Sequence, residues 1–329
     1  MKHSPFAFWW AAQELMPKNQ IAAPLPSLAT EQQNLTSQAL DTKSALEIAS
    51  IINGEDSKVA AAIGKALPQI AQAIDAVADA LAHGGRLIYI GAGTSGRIAA
   101  LDAAECPPTF STDPRQVQFV IAGGERALGR AIEANEDSPQ LGQRDIARLK
   151  PSKKDVVVGI AASGRTPYTI AAVEHARKKG AKTIGVSCNS DSPLSQAADI
   201  AISAEVGPEV ISGSTRMKAG TAQKMILNMI TTGAMTRLGY VYGNLMVNVS
   251  PKNEKLVERA ITILSKAANT DREHARDALN RSGRSVPLAL IMMKTGATLS
   301  QAKRLLKANG GNVRRAIESS GSAKPSDIR

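Results

Sequence analysis

From Arg86 onward the chain alternates short apolar runs with stretches of helical periodicity, and this alternation limits the possible folds more than any other feature. RLIYI, VQFVIAG, DVVVGIAAS, AKTIGVSC and ADIAISAEV read as strands bounded by glycine or polar residues. Strands apolar along their whole length and separated by helices form a parallel sheet covered on both faces, an α/β layout with right-handed crossovers. AALDAAE, the stretch from Arg126 to Leu149, and PYTIAAVEHARKKG supply the helices between them; Pro167 suits a first turn and Gly180 a helix end. Ahead of the first strand, residues 44–82 predict two helices broken at NGED. After the last, STRMKAGTAQKMILNMITTGAMTRLG predicts a helix that stops at Gly239, with Met217, Met225, Ile226 and Met229 on one apolar stripe. Beyond GNLMVNVSPKNEKL the rhythm changes, and residues 254–319 predict three short helices separated by NT and SG, so a domain boundary is expected near residue 250.

A chain of 329 residues can bury a sizeable core and is long enough for about two domains. The net charge of +11 suggests nucleic acid until it is divided: residues 251–329 hold 16 Lys and Arg against 7 Asp and Glu, a balance of +9, which leaves +2 for the rest. The basic segment lacks the aromatics that stack on bases, so a solvated helical surface is expected there and no nucleic-acid partner. Cys106 and Cys188 are the only cysteines and the four histidines have no ligand spacing, so neither a disulfide framework nor a metal site is expected and a reduced, cytoplasmic setting fits. No apolar run approaches the roughly 20 residues of a membrane span, and the first 29 residues read as a disordered extension.

Two loops share one build. IYIGAGTSGR and VGIAASGRTPY each leave an apolar strand, pass through glycine, present hydroxyls and enter a helix. In an open α/β sheet ligands collect at the carboxyl ends of the strands, and bare amides at a helix start favour an anion, so both loops are placed to share one. GAGTSG fits the dinucleotide pattern G-x-G-x-x-G, but Glu125 lies about 29 positions beyond Gly96, too far for the acidic residue that holds the ribose about 20 positions on. No P-loop motif occurs. The hydroxyls of Thr94, Ser95, Ser163 and Thr166 suit a phosphomonoester held by neutral donors.

Two carboxylate groups stand out. Glu105 lies in DAAECPPT, where Pro107 and Pro108 are expected to end the helix; a helix C-terminus and burial would both help it keep a proton, as a general acid requires. In AIEANEDS, Glu133, Glu136 and Asp137 cluster on an expected helix, and spacing alone makes them a solvated face. Cys106, with no histidine nearby in sequence, reads as a small buried residue.

RLIYIGAGTSGRIAALDAAECPPTF, VVVGIAASGRTPYTIAA and GSTRMKAGTAQKMILNMI closely resemble the N-acetylmuramic acid 6-phosphate etherases, members of the sugar isomerase (SIS) fold group. The likeness runs from about Thr30 in TEQQN to about Ile317 in GGNVRRAI. It implies a SIS-type open parallel sheet flanked by helices over residues 30–250, followed by a small, basic, ubiquitin-associated-like helical bundle over 251–329. The activity implied is a cofactor-independent lyase that splits the D-lactyl ether of N-acetylmuramic acid 6-phosphate into N-acetylglucosamine 6-phosphate and D-lactate during cell-wall recycling. In that family the ring-opened sugar loses its C2 proton to one glutamate, lactate leaves C3 with a proton from another, and water adds to the unsaturated aldehyde. By motif the proton donor is Glu105 and the C2 base Glu136. Phosphate binding falls to Ser163, Gly164 and Thr166, with Thr94 and Ser95 near the sugar; Glu209, Ser214 and Lys218 in EVISGSTRMKAGT are further candidates. The resemblance also implies a homodimer with its site near the subunit interface, and TEQQN as a segment able to reach a neighbour's site. Ala104 stands where the family has serine, beside Glu105.

A phosphosugar-binding regulator on the same fold, such as the glucokinase regulatory protein, would need the loops but not the two glutamates. A phosphosugar isomerase would need a catalytic base that the sequence does not display.

Overall fold

A computed structural model describes residues 28–132, 135–251 and 253–322. The expectations for the first 27 residues, for Glu133 and for the last seven lie outside the described residues.

Among the described residues three α-helices precede the sheet: α1 (Ala45–Asp56), α2 (Val59–Gly64) and α3 (Leu67–Ala82). The sequence predicted two, broken at NGED, but that segment is the last turn of α1. The Ser44–Glu47 capping box fixes where α1 starts, and the Ser57 and Lys65 ends supply two breaks further on. The sheet then alternates as expected: β1 (Leu87–Gly91), α4 (Gly93–Phe110), β2 (Val117–Ile121), α5 (Arg126–Gly129), α6 (Pro139–Arg148), β3 (Val156–Ile160), α7 (Pro167–Lys178), β4 (Lys182–Ser187), α8 (Pro193–Ala197), β5 (Ile200–Ser203) and α9 (Lys218–Arg237). The single helical stretch expected from Arg126 to Leu149 is two helices, with Glu136 and Asp137 in the turn between them rather than on a helix face. Ser138 caps α6 by accepting the Leu141 N–H, and Pro139 starts its first turn.

All strand pairs are parallel, in the order β2-β1-β3-β4-β5, with Leu87 paired to both Val117 and Val156 and Gly91 to both Ile121 and Ile160. Alternate side chains enter separate cores. Leu87, Tyr89, Val156 and Val158 pack with α2, α3, α4 and α9, while Ile88, Ile90 and Val157 pack with α6, α7 and α8. Because β1 connects outward to β2 on one side and the chain returns to β3 on the other, the order reverses between β1 and β3, which opens a crevice at their carboxyl ends.

The methionine stripe of α9 divides. Ile226, Leu227, Ile230 and Ala234 face the core, whereas Met225 and Met229, about 100° away around the helix, line a surface groove with Leu67, Ile70 and Ile74 of α3. The missing side chain of Gly233 lets α3 come close, since a Cβ there would lie 2.6 Å from Ile74 Cδ1.

After a turn closed by the Tyr242–Leu245 bridge come α10 (Glu254–Ala268), α11 (Arg272–Arg281), α12 (Val286–Thr295), α13 (Leu299–Ala308) and α14 (Val313–Ser322). There are thus five helices among the described residues where the sequence predicted three. Caps at Asn253, Asp271 and Thr298 and left-handed ends at Asn269 and Gly296 cut the apolar pattern into ten- to fifteen-residue pieces. Their apolar faces form one cluster that includes Ile261, Leu264, Ile291 and Val313.

Candidate active site

The two look-alike loops are neighbours in space. Gly91 and Ile160, the last residues of β1 and β3, pair directly, so the loops leave the sheet from strands about 4.8 Å apart. After β1 the chain turns straight into α4: Thr94 is half-buried and Ser95 buried in its first turn. Gly96 presses this turn onto β2, where a Cβ would meet Ile121 Cγ1 at 2.5 Å. After β3, Ser163 Oγ accepts the Arg165 N–H at 3.2 Å, and Thr166 stands at the start of α7. Gly164 takes φ +68, and a Cβ there would sit 2.2 Å from Ser192 Oγ, so only glycine fits.

Neither α4 nor α7 has a side chain capping its first amides. Two helix starts therefore direct partial positive charge to one crevice, with free first-turn N–H groups at α4 but not at Pro167 or Tyr168 of α7, alongside the hydroxyls of Thr94, Ser95, Ser163 and Thr166. The turn carrying Glu136 belongs to the same place, because its carbonyl accepts the Tyr168 N–H at 3.1 Å in the first turn of α7. Arg97 ties the intervening segment to α4 by donating to the carbonyls of Ala127 and Arg130 at 2.9 and 2.8 Å. Thr94, Ser95, Ser163, Gly164, Thr166 and Glu136 are thus gathered at the carboxyl edge of β1 and β3.

Glu105 is placed elsewhere. Pro107 and Pro108 do not end α4, which continues to Phe110 and closes at Ser111 in a left-handed conformation. The prolines cost only the hydrogen bonds to the Ala103 and Ala104 carbonyls, and Ala104 is exposed, so its carbonyl faces solvent. Neither local feature expected at Glu105 is present, because the helix runs five residues past it and its side chain is exposed. Ten residues of helix separate it from Ser95, about 15 Å along the axis and toward the amino ends of the strands. A single chain therefore does not bring Glu105 to the crevice that holds Glu136.

The roll of α4 about its axis is fixed from below. Asp102 is buried, accepting the Tyr89 hydroxyl at 2.8 Å, Asn228 Nδ2 at 2.6 Å and the Thr231 hydroxyl at 3.2 Å. Burial raises the Asp102 carboxyl above its ordinary range despite these donors. With Asp102 held inward, Leu101 and Glu105 face outward, Leu101 being 53% exposed.

In the loop before α9, Glu209 and Lys218 have partners within the protein. Glu209 is fully buried, and its carboxylate accepts the N–H groups of Lys218 and Ala219 at 3.0 and 2.9 Å, taking up the amino end of α9. Lys218, 1% exposed, places Nζ 2.5 Å from Glu55 Oε2. Burial pushes Glu55 up, but donors from Lys218, Lys58, Thr36 and Asn34 outweigh it and hold the carboxyl at about 2. Ser214 is half-buried in this loop, its N–H on the Ile211 carbonyl. Burial, with the Asp102 and Glu105 carboxyls nearby, pushes the Cys106 thiol up to about 12, in keeping with a packing residue.

Sequence reasoning passed over Asn189, in the loop after β4, and the use of the TEQQN segment within its own chain. Thr30, fully buried, accepts Asn189 Nδ2 at 3.2 Å. Asn34 and Ser37 donate to the carbonyls of Pro208 and Val210, and Ser212 to those of Glu31 and Gln32. Residues 30–37 thereby strap the carboxyl ends of β3, β4 and β5. A polar CNSDS run directly after a strand was the available signal.

Residues 69–177 match a profile described as the glucokinase regulatory protein N-terminal SIS domain, and residues 145–233 one described as the SIS domain. The N-acetylmuramic acid 6-phosphate etherase of Edwardsiella ictaluri is 55% identical over 89% of this chain and 98% of its own length. That of Photorhabdus laumondii is 52% identical over 89% and 97%, and an Enterococcus faecalis etherase 50% over 88% and 96%.

Proposed function

The chain belongs to the N-acetylmuramic acid 6-phosphate etherases, carbon–oxygen lyases of cell-wall amino sugar recycling that release D-lactate and leave N-acetylglucosamine 6-phosphate, and on that premise we propose how its residues divide the work. The observation that carries the assignment is the crevice between β1 and β3, where two uncapped helix starts, four hydroxyl side chains and the Glu136 turn converge. The phosphoryl group sits on the 163–166 loop, held by amides and by the Ser163 and Thr166 hydroxyls. Thr94 and Ser95 face the sugar, and Glu136, carried on the α7 side of the crevice, takes the C2 proton of the ring-opened substrate. Loss of lactate from C3 needs a proton on the departing oxygen, and Glu105 gives it. Water then adds at C3 to complete the exchange. Glu209, Lys218 and Ser214 shape the loop before α9 rather than touch the sugar.

The 15 Å between Ser95 and Glu105 sets the assembly. A homodimer in which Glu105 enters the crevice of the partner satisfies both the distance and the exposure of that helix face. The apolar groove of α3 and α9 suits the contact, since Asn228 on its wall bonds Asp102, next to exposed Leu101. A cytoplasmic setting accords with the reduced, buried thiols.

Incubation with N-acetylmuramic acid 6-phosphate should release D-lactate without added metal or nicotinamide. Glu105→Gln and Glu136→Gln should each abolish release while N-acetylglucosamine 6-phosphate still binds. The match of residues 69–177 to the regulatory protein's domain favours a second reading, a phosphosugar sensor. Binding by the wild-type chain with no lactate formed would establish that reading instead.

A further inference from the structure

The placement of the phosphoryl group on the 163–166 loop, on which this inference rests, leaves open what holds that loop in shape. We propose that Asn189 is a positioning residue for the phosphate site, and that the strap at Thr30 is the second half of the same device.

The Ala162 carbonyl accepts two donors, the Cys188 N–H at 2.9 Å and Asn189 Nδ2 at 3.2 Å. The other Nδ2 hydrogen of Asn189 goes to Thr30 Oγ1 at 3.2 Å. Asn189 is itself fixed, 6% exposed, with its own carbonyl accepting the Ser187 hydroxyl at 2.8 Å. In a planar trans peptide the carbonyl of one residue and the N–H of the next point in opposite directions. Pinning the Ala162 carbonyl toward β4 therefore turns the Ser163 N–H the other way, toward the crevice, and that N–H has no acceptor among the described residues. Ser163 Oγ accepts the Arg165 N–H and keeps its own O–H to donate, so Ser163 can offer an anion a hydroxyl and, where the peptide is held in this orientation, a backbone N–H as well.

A carboxamide is suited to this work and a carboxylate is not. Asn189 donates twice, to a carbonyl and to a hydroxyl, and its isostere aspartate has no hydrogen for either. Asn189→Asp would set a negative charge against the Ala162 carbonyl, freeing that peptide to rotate and carry the Ser163 N–H out of line. Thr30→Val keeps the shape of the strap but removes the acceptor that aligns the amide, while Thr30→Ser restores it. Residues 30–37 thus act on the phosphate site of their own chain through one side chain.

The test is binding and kinetics on the full-length protein with paired ligands. N-acetylglucosamine 6-phosphate and unphosphorylated N-acetylglucosamine are titrated calorimetrically into wild type, Asn189→Asp, Thr30→Val and Thr30→Ser, with thermal midpoints recorded for each. Asn189→Asp should weaken the phosphosugar about tenfold, the size of one good hydrogen bond to an anion, and raise KM by a like factor with kcat within about twofold. Thr30→Val should do the same more weakly, Thr30→Ser should rescue it, and the unphosphorylated sugar should not discriminate among the proteins. Equal loss for both sugars, or a fall in kcat that follows the thermal midpoint, would show a structural residue and overturn the inference. Failure of the wild-type chain itself to prefer the phosphosugar would instead overturn the phosphate-site assignment.

Discussion

Mixing two inactive variants should restore activity, and by a predictable amount. Glu105→Gln and Glu136→Gln each remove a proton-transfer group, a loss of about 10²- to 10⁴-fold, so either homodimer should run below about 1% of wild type. Ser95 and Glu105 are separated by about 15 Å of helix, so on the proposed dimer a complete site takes Glu136 from one chain and Glu105 from its partner. In a heterodimer of the two variants one site then has both native glutamates and the other has neither. Random reassortment makes half the dimers mixed, so the pool should recover about a quarter of wild-type activity, which is at least 25-fold above either parent. The assay is D-lactate release after co-refolding or co-expression of equal amounts. A reciprocal control sharpens it: mixed with the doubly substituted chain, wild type should also fall to about a quarter if sites are shared, but to about half if each chain is self-sufficient. A pool of single variants no more active than its parents would refute the shared site and place both glutamates on one chain.

The buried Lys218–Glu55 pair should behave as a structural charge pair: Glu55→Gln, which strands the ammonium, should cost about 3 kcal/mol in urea unfolding, and Glu55→Leu with Lys218→Met much less. Because Glu55 is depressed in the folded state from 4.5 to about 2, its stabilisation is complete above 4.5 and disappears as the pH falls toward 2, so Glu55→Gln should flatten the acid limb of the stability profile over that window. Both thiols are held at about 12 by burial, chiefly, so iodoacetamide at about pH 8 should leave native protein unmodified and fully active while labelling both cysteines in urea. Met229→Glu in the α3/α9 groove should yield monomers by light scattering with a native circular dichroism spectrum and no lactate release, whereas a dimeric, active variant would remove this face from the interface.

The sheet was legible because its strands are short, wholly apolar and punctuated by glycine, a pattern that buried parallel strands require and little else imitates. The two look-alike glycine loops were legible for the same reason, since GAGTSG and ASGRT each occur at a strand end. Errors fell where a local rule met a tertiary one. Pro107 and Pro108 read as a helix stop, yet in the last turn of α4 they forfeit only two bonds, and the helix is held by Asp102 beneath it. Met225 and Met229 read as part of one apolar stripe with Ile226 because composition does not distinguish a fully buried stripe from one at a surface groove. Lys218 read as a ligand candidate because its counter-ion, Glu55, lies 163 residues earlier, beyond any pattern in the local sequence.

The proposed placement of the ligand at β1 and β3, rather than at the ends of β4 and β5, is supported by how helix starts are neutralised. The helix after β4 accepts its own cap, Ser192 Oγ taking the Ser195 N–H at 3.2 Å. The helix after β5 meets the buried carboxylate of Glu209, which takes up the field and the amides that would otherwise attract a phosphate, and the one lysine there is cancelled by Glu55. An anion brought to that end of the sheet would face Glu209 and gain nothing. At α4 and α7 no side-chain oxygen fills this role, and the two starts share one crevice at the switch point. On the proposed placement the charge at Glu209 disfavours an anion at α9, and Glu209→Gln should loosen that selection by weakening the cap on α9 without touching a single residue of the 163–166 loop.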